Sequence, residues 1–289
     1  MCHMCALLVG TAGTLVMAAP PMIAAVWFPP NERTTATAFI QMSNQLGNAG
    51  SYLEPLLVRE PSDPHPGPEE VTEIRSDIRR LMYIWAGVGV ATMVTVLVYF
   101  PSKPPSPPSL TSHIERLGFI DSMKIIVRNR DLLLVTLSYG LAIGVPSAWA
   151  SVLNYSLYEL GMTQKEAMGV GLFSVLAASL ATLVMGRLTD MVYGHIKLSL
   201  IVCLAFTLLF YYWFFLLTWG AVPVTTWQIY AAVIGGLAFT NTTPPLFFEL
   251  AVETAYPASE VVVGGVITAT NNLIGLCFLF LFLVPFSSK

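Results

Sequence analysis

Charge is scarce in this 289-residue chain: Asp, Glu, Lys and Arg make up 11% of it, 14 basic and 17 acidic residues, where soluble domains carry about 25%. So few charges cannot solvate the surface of a compact 31.5 kDa water-soluble fold, and a mean hydropathy of +0.69 agrees. The solvent for most of the chain is lipid. Basic residues form no stripe and the net charge is -3, which excludes a face for phosphate backbones and with it nucleic-acid partners. Cysteine is limited to Cys2, Cys5, Cys203 and Cys277, all in or beside apolar stretches, so neither a disulfide framework nor a redox motif is read. The four histidines (His3, His65, His113, His195) are scattered. Cys2 and Cys5 enclose His3, but no second ligand pair completes a tetrahedral site, and no metal or cofactor is expected. Nucleophile elbow, phosphate loop and paired intramembrane carboxylates are lacking too, which argues against an enzyme. Gly87 with Gly89, and Gly169 with Gly171, lie inside apolar stretches and read as close helix packing rather than nucleotide loops.

What the chain does have is apolar length. Crossing about 30 Å of hydrocarbon takes about 20 apolar residues in a helix, and eight stretches qualify: Cys5 to Phe28, Thr34 to Val58, Leu81 to Phe100, Leu132 to Tyr158, Ala167 to Gly186, Leu198 to Trp219, Thr226 to Phe248, and Val261 to Phe286. Helices satisfy every backbone group in lipid, and the alternation of barrel strands is missing. The first stretch is too long for a signal peptide and has no basic residues before it, so it is expected to stay in the mature chain.

The connection Arg59 to Arg80 is polar and acid-rich, whereas Pro101 to Asp131 carries Lys103, Arg116, Lys124, Arg128 and Arg130. With Arg33, Arg187 and Lys197 the second side holds eight basic residues against six opposite, which puts it in the cytosol by a small margin. The run Pro101 to Pro108 is expected to be extended. A spacer between two bundles and a proline-rich SH3 ligand both fit it, the spacer being the commoner use.

Polar residues inside spans need a partner or a watery cavity. The second segment holds Gln41, Asn44, Gln45 and Asn48, and ends at Glu54, which is either a proton-coupling acid or an acid at the lumenal edge. The seventh holds Thr240, Asn241, Thr242, Thr243, Pro244 and Pro245, and the eighth Thr268, Thr270, Asn271 and Asn272. The prolines predict bent or broken helices of the kind that surround a midplane site. Singly these residues serve equally well as interhelical glue; across three segments the set points to a solute cavity. Trp149, midway along the fourth segment, offers an aromatic face. Tyr155, near its lumenal end, fits an interfacial belt. Glu249 and Glu253 share a helical face and form either a gate ion pair or a cap on a basic loop. Arg187 and Asp190 read as an interlocking loop.

Gly186, Arg187, Leu188, Thr189, Asp190 followed by Gly194 and Lys197 resembles the cytosolic loop signature of the major facilitator superfamily, with Gly194 one place late and Met191 where a base stands. Trp27 to Ala38 resembles that superfamily's loop between helices four and five. Phe247, Phe248, Glu249, Leu250, Ala251, Val252, Glu253, Thr254, Ala255, Tyr256, Pro257 resembles a phrase of solute carrier family 49, the feline leukaemia virus subgroup C receptor-related transporters. Tyr99, Phe100, Pro101 and Trp149 look most like the branch called disrupted in renal carcinoma protein 2, Asn44 to Gly47 more like the receptor branch.

The resemblance implies an all-α membrane protein of the major facilitator fold, its eight predicted helices matching helices 4–11 of twelve. Residues 1–100 would close the N-terminal bundle (helices 4–6), 101–131 form the cytosolic proline-rich linker, and 132–289 make the C-terminal bundle (helices 7–11). Helices one to three and twelve have no counterpart, so a partial chain is expected. The implied function is alternating-access movement of a small organic metabolite, vitamin B6 (pyridoxine)-like or choline- or haem-like, with proton coupling open and the lysosomal membrane ahead of the plasma membrane. Gln45 and Asn272 match solute-contact positions of the receptor branch. With Trp149 and Asn241 they form the expected substrate set; Gly186, Asp190, Glu249 and Glu253 form the gating and loop set. The competing reading is a truncated, non-transporting membrane protein that associates with a full-length relative.

Overall fold

The computed structural model describes residues 2–53, 57–59, 67–101, 104–106, 117–158, 160–192 and 195–283. Regular structure among the described residues is helical throughout. Glu54, His65, His113, Arg116, Gly194 and much of the proline-rich run lie outside them, as does the Tyr155 side chain.

The first apolar stretch divides into α1 (Cys2–Ala18) and α2 (Pro20–Trp27). Pro20 and Pro21 lack the N–H a continuing helix needs but suit a first turn. After one tight turn at Pro30–Glu32, α3 (Arg33–Leu53) turns its polar side inward: Thr34, Thr37, Gln41 and Gln45 are buried while Phe39, Leu46 and Leu53 are exposed. Their spacing of three or four residues puts the polar set on one face.

Next, α4 (Pro68–Val98) starts well before the predicted span. Pro68 at the first position and Glu69 and Glu70 in the first turn favour a helix start, so half of the expected acidic loop is helix. Arg59 ion-pairs with Glu73 and, at 3.3 Å, with Asp77 on α4. Leu81 is its one buried residue.

Within the stretch expected to be a linker lies a short helix, α5 (Phe119–Arg128). The fourth predicted span is not one helix: α6 (Arg130–Tyr139) widens into a π turn at Gly140–Gly144 and continues as α7 (Val145–Ser151) and α8 (Leu153–Tyr158). The glycines explain the wide turn. A Cβ on Gly140 would lie 2.5 Å from Ile274 Cδ1, and one on Gly144 2.6 Å from the Asn271 carbonyl oxygen. Two backbones touch there, which only glycine permits.

Three long helices follow the capping box of Thr163 and Glu166: α9 (Gln164–Met191), α10 (Ile196–Thr218) and α11 (Thr226–Ala255); α12 (Glu260–Leu283) ends the described chain. Contrary to the expected break, α11 runs through Pro244 and Pro245. By length and composition, six helices among the described residues can cross a membrane: His3–Trp27, Pro68–Val98, Arg130–Ser151, Glu166–Met191, Ile196–Thr218 and Glu260–Leu281. The second and seventh predicted segments are the helices α3 and α11, too polar for that count; α3 packs on α9 and α11, and α11 on α9 and α10.

Two apolar clusters hold the bundle. One joins Ile126, Leu132, Tyr139, Leu246, Phe247, Phe248 and Ile267 around the C-terminal half of α11. The other joins Leu153, Leu157, Val170, Phe214, Ile229 and Val233 around its N-terminal half. Polar residues fill the level between them.

Candidate functional site

At that middle level α3, α7, α9 and α11 enclose a cavity of about 300 Å³. Gln45, Asn48 and Tyr52 enter from α3, Ser147 and Ser151 from α7, Gly171 and Ser174 from α9, and Thr240 and Asn241 from α11. Every lining side chain is uncharged. Such a surface offers hydrogen bonds and one aromatic ring, with no fixed charge to neutralise an ion.

Its polar wall is organised by the two prolines. In a helix the N–H of residue i bonds the carbonyl of i-4, so Pro244 and Pro245 leave the carbonyls of Thr240 and Asn241 without their usual donors. Each finds another. Thr243 Oγ1 donates to Thr240 O at 2.8 Å. Gln45 Nε2 on α3 donates to Asn241 O at 3.3 Å, and the Thr182 hydroxyl on α9 lies 3.0 Å from Asn241 O and 2.7 Å from Ala178 O, its one proton shared between the two carbonyls. Side-chain hydroxyls of Thr240 and Thr242 also bond carbonyls one turn back, at Gly236 and Ala238. The Asn241 amide donates to Leu237 O at 2.8 Å. The Gln45 amide is thereby turned with its N–H group to α9 and α11, while its buried Oε1 has no donor among the described residues. A buried acceptor left so costs about 1–3 kcal/mol.

Tyr52 reaches the cavity across Gly171: a Cβ there would fall 2.2 Å from the ring. Substitution at Gly171 must therefore displace the ring.

One end of the bundle is charged. Asp190 Oδ2, in the last turn of α9, accepts from the Thr35 backbone N–H at 2.7 Å and from Thr35 Oγ1 at 2.6 Å. It supplies α3 with the anion that a helix N-terminus favours. Gly186, one turn earlier, lets α9 press on α3, since a Cβ there would sit 2.6 Å from Ala38 Cβ. Arg33, Asp190, Glu249, Glu253 and Glu260 interact electrostatically with Glu249 at their centre.

The sequence model of the Major Facilitator Superfamily matches residues 3–279. The chain belongs to the Major Facilitator Superfamily. It is an integral membrane protein of that transporter superfamily. It is similar to a "Solute carrier family 49 member 4 homolog" of Xenopus tropicalis, 35% identical over 95% of this chain and 62% of the relative. It is also similar to the "Choline/ethanolamine transporter flvcr2b" of Danio rerio (29% identical, 92% of this chain, 54% of the relative) and "Choline/ethanolamine transporter FLVCR2" of Homo sapiens (27%, 94%, 51%). These relatives bear out the resemblance to solute carrier family 49. The chain spans about half to two thirds of their lengths.

Within this superfamily member, Gln45 and Asn241 meet in the cavity and the other two expected solute contacts lie outside it. Trp149 stacks edge-on against Tyr211 and Phe214, at centroid distances of 5.8 and 5.3 Å, and its Nε1–H donates to Ser156 Oγ. Aromatic packing against α10 holds the ring, which does not line the cavity. Asn272 is exposed on α12, while its neighbour Asn271 meets the π turn. The residues that sequence reasoning missed are Thr182, Tyr52, Ser147 and Ser174. The signal for Thr182 was Pro245, whose missing N–H calls for a donor from a neighbouring helix.

Proposed function

We propose that this chain forms the solute-handling part of a transporter that moves a small hydroxylated organic metabolite, with a neutral vitamin B6-like (pyridoxine-like) solute first. The single observation that carries the reading is the uncharged, hydrogen-bonding cavity lined by Gln45, Asn48, Tyr52 and Asn241. A volume of about 300 Å³ lies at the small end of ligand pockets, which favours one ring or an acyclic solute over a haem macrocycle. A choline-like cation is the competing solute: two relatives carry choline and ethanolamine in their names, and the Tyr52 ring would have to supply its cation–π contact. Solute contacts are assigned to Gln45, Asn241, Tyr52 and Asn48. Movement follows rigid-body rocking of helix groups around the midplane cavity, with Asp190, Gly186, Glu249 and Glu253 forming the latch at the charged end and Glu249 the proposed proton-coupling acid. The lysosomal membrane is the proposed residence, on the strength of the family resemblance.

A second reading, a non-transporting chain that pairs with a full-length relative, is favoured by α4, which buries Leu81 alone and leaves its other sides to lipid or to another subunit. Uptake into proteoliposomes containing the purified chain, alone or with a full-length relative, tests both. The transporter reading predicts saturable uptake of labelled pyridoxine that falls about ten-fold in Gln45→Ala. Uptake indifferent to Gln45 overturns it. Co-purification with the relative and no uptake by the chain alone establishes the second reading.

A further inference from the structure

The helix α5 differs from its neighbours: it is short, strongly two-sided and bolted to the bundle. Ser122 is fully buried and its Oγ accepts the Ser259 N–H at 3.0 Å, Ile126 is 1% exposed, and Asn129 donates from Nδ2 to Thr254 O at 3.0 Å while its Oδ1 caps α6 at Leu132 N–H. These ties fix the outer side of the helix. At about 100° per residue, Phe119, Ile120, Met123 and Val127 make a single arc. Phe119, Ile120 and Val127 are 69%, 68% and 63% exposed.

Lys124 and Arg128, four residues apart, border that arc. With the four apolar residues they line an open hollow of about 400 Å³, and both also line the adjoining hollow toward Asn129. The two cations thus stand between an apolar floor and the helix end. Lys124 pairs with Asp121 at 2.9 Å, but both side chains are more than 60% exposed, and a pair so solvated is worth little and is readily exchanged.

Position in the fold supplies the occupant. Only Asn129 separates α5 from Arg130, the first residue of an apolar span. A helix that ends one residue from a membrane span sits at headgroup level, where an apolar arc enters the acyl boundary and flanking cations meet phosphates. We propose that α5 is an interfacial helix that binds an anionic phospholipid, its headgroup between Lys124 and Arg128 and its chains over Phe119, Ile120 and Val127. Through Asn129 and Thr254 the bound lipid adjoins Glu253 at the charged end of α11. The inference stands on the membrane character of the chain and is independent of the transported solute.

The test uses the purified full chain in nanodiscs of phosphatidylcholine with a minor fraction of phosphatidylglycerol, reading retained lipid by native mass spectrometry. The expected result is enrichment of phosphatidylglycerol on the wild type, lowered about thirty-fold in Lys124→Gln/Arg128→Gln, the factor that two interfacial cations at about 1 kcal/mol each convert to. Lys124→Arg/Arg128→Lys retains the enrichment, and Phe119→Ser/Val127→Ser lowers it with both cations in place. Equal enrichment in the neutral double variant overturns the proposal. So does displacement of the lipid by millimolar inorganic phosphate, which would mark a simple anion site. Should the neutral variant not elute as a folded species, the Phe119→Ser/Val127→Ser and charge-swapped variants decide the matter alone.

Discussion

Gln45 Nε2 donates to the carbonyl oxygen of Asn241 at 3.3 Å, an oxygen that Pro245, four residues on, has no N–H to reach. The proline creates the acceptor and the glutamine from another helix takes it. In lipid a freed carbonyl must find such a partner, so the α11 prolines tie α3 to α9 and α11 instead of breaking α11.

Pro245→Ala should restore a helical N–H to Asn241 O and release Gln45. Thermal stability of the purified protein is expected to hold or rise, since proline inside a helix costs about 3 kcal/mol before compensation. Solute affinity should fall because the Gln45 amide is no longer oriented. Scanning fluorimetry and solute titration on the same preparation check both.

Thr182→Val removes one hydroxyl at nearly constant shape. It removes the hydroxyl proton shared between Ala178 O and Asn241 O and should lower stability by about 1 kcal/mol. The variant should also weaken solute binding although Thr182 does not line the cavity, a combination that paired unfolding and binding measurements resolve.

Gly171→Ala puts a methyl group where the Tyr52 ring lies. Overpacking of this kind costs about 1–3 kcal/mol and moves the ring off the cavity. Tyr52→Ala should then rescue the stability of Gly171→Ala, giving a non-additive double-mutant cycle. An additive cycle would show that the two residues do not meet.

Asp190→Ala removes the anion that receives two hydrogen bonds from Thr35. Charge-assisted bonds at a helix N-terminus support a loss of about 2 kcal/mol. Asp190→Asn keeps an acceptor and should lose less. The order wild type, Asn, Ala in unfolding midpoint is the expected outcome.

Much of the helical layout was legible because apolar length is a strong signal: each of the eight segments contains helix. Gln45 and Asn241 were legible because amides inside an apolar span need partners. Hydropathy could not see the start of α4, since Pro68 to Arg80 is polar helix, nor the wide turn at Gly140–Gly144, whose cause lies on α12 at Asn271 and Ile274. The packing of Trp149 was not legible because the aromatic rings that hold it, Tyr211 and Phe214, come from α10, far along the chain. Asn271 and Asn272 are alike in sequence; only the helix rotation set by the π turn separates them.

The cavity itself can be tested by substituted-cysteine protection, with Cys2, Cys5, Cys203 and Cys277 replaced by serine. Asn48 lines the cavity and Asn272 lies outside it on α12. Pyridoxine should slow maleimide labelling of Asn48→Cys and leave Asn272→Cys unchanged, with protection lost when Gln45→Ala is added. Labelling of Asn48→Cys that neither pyridoxine nor choline slows, or protection confined to Asn272→Cys, would contradict the assignment of the solute to this cavity.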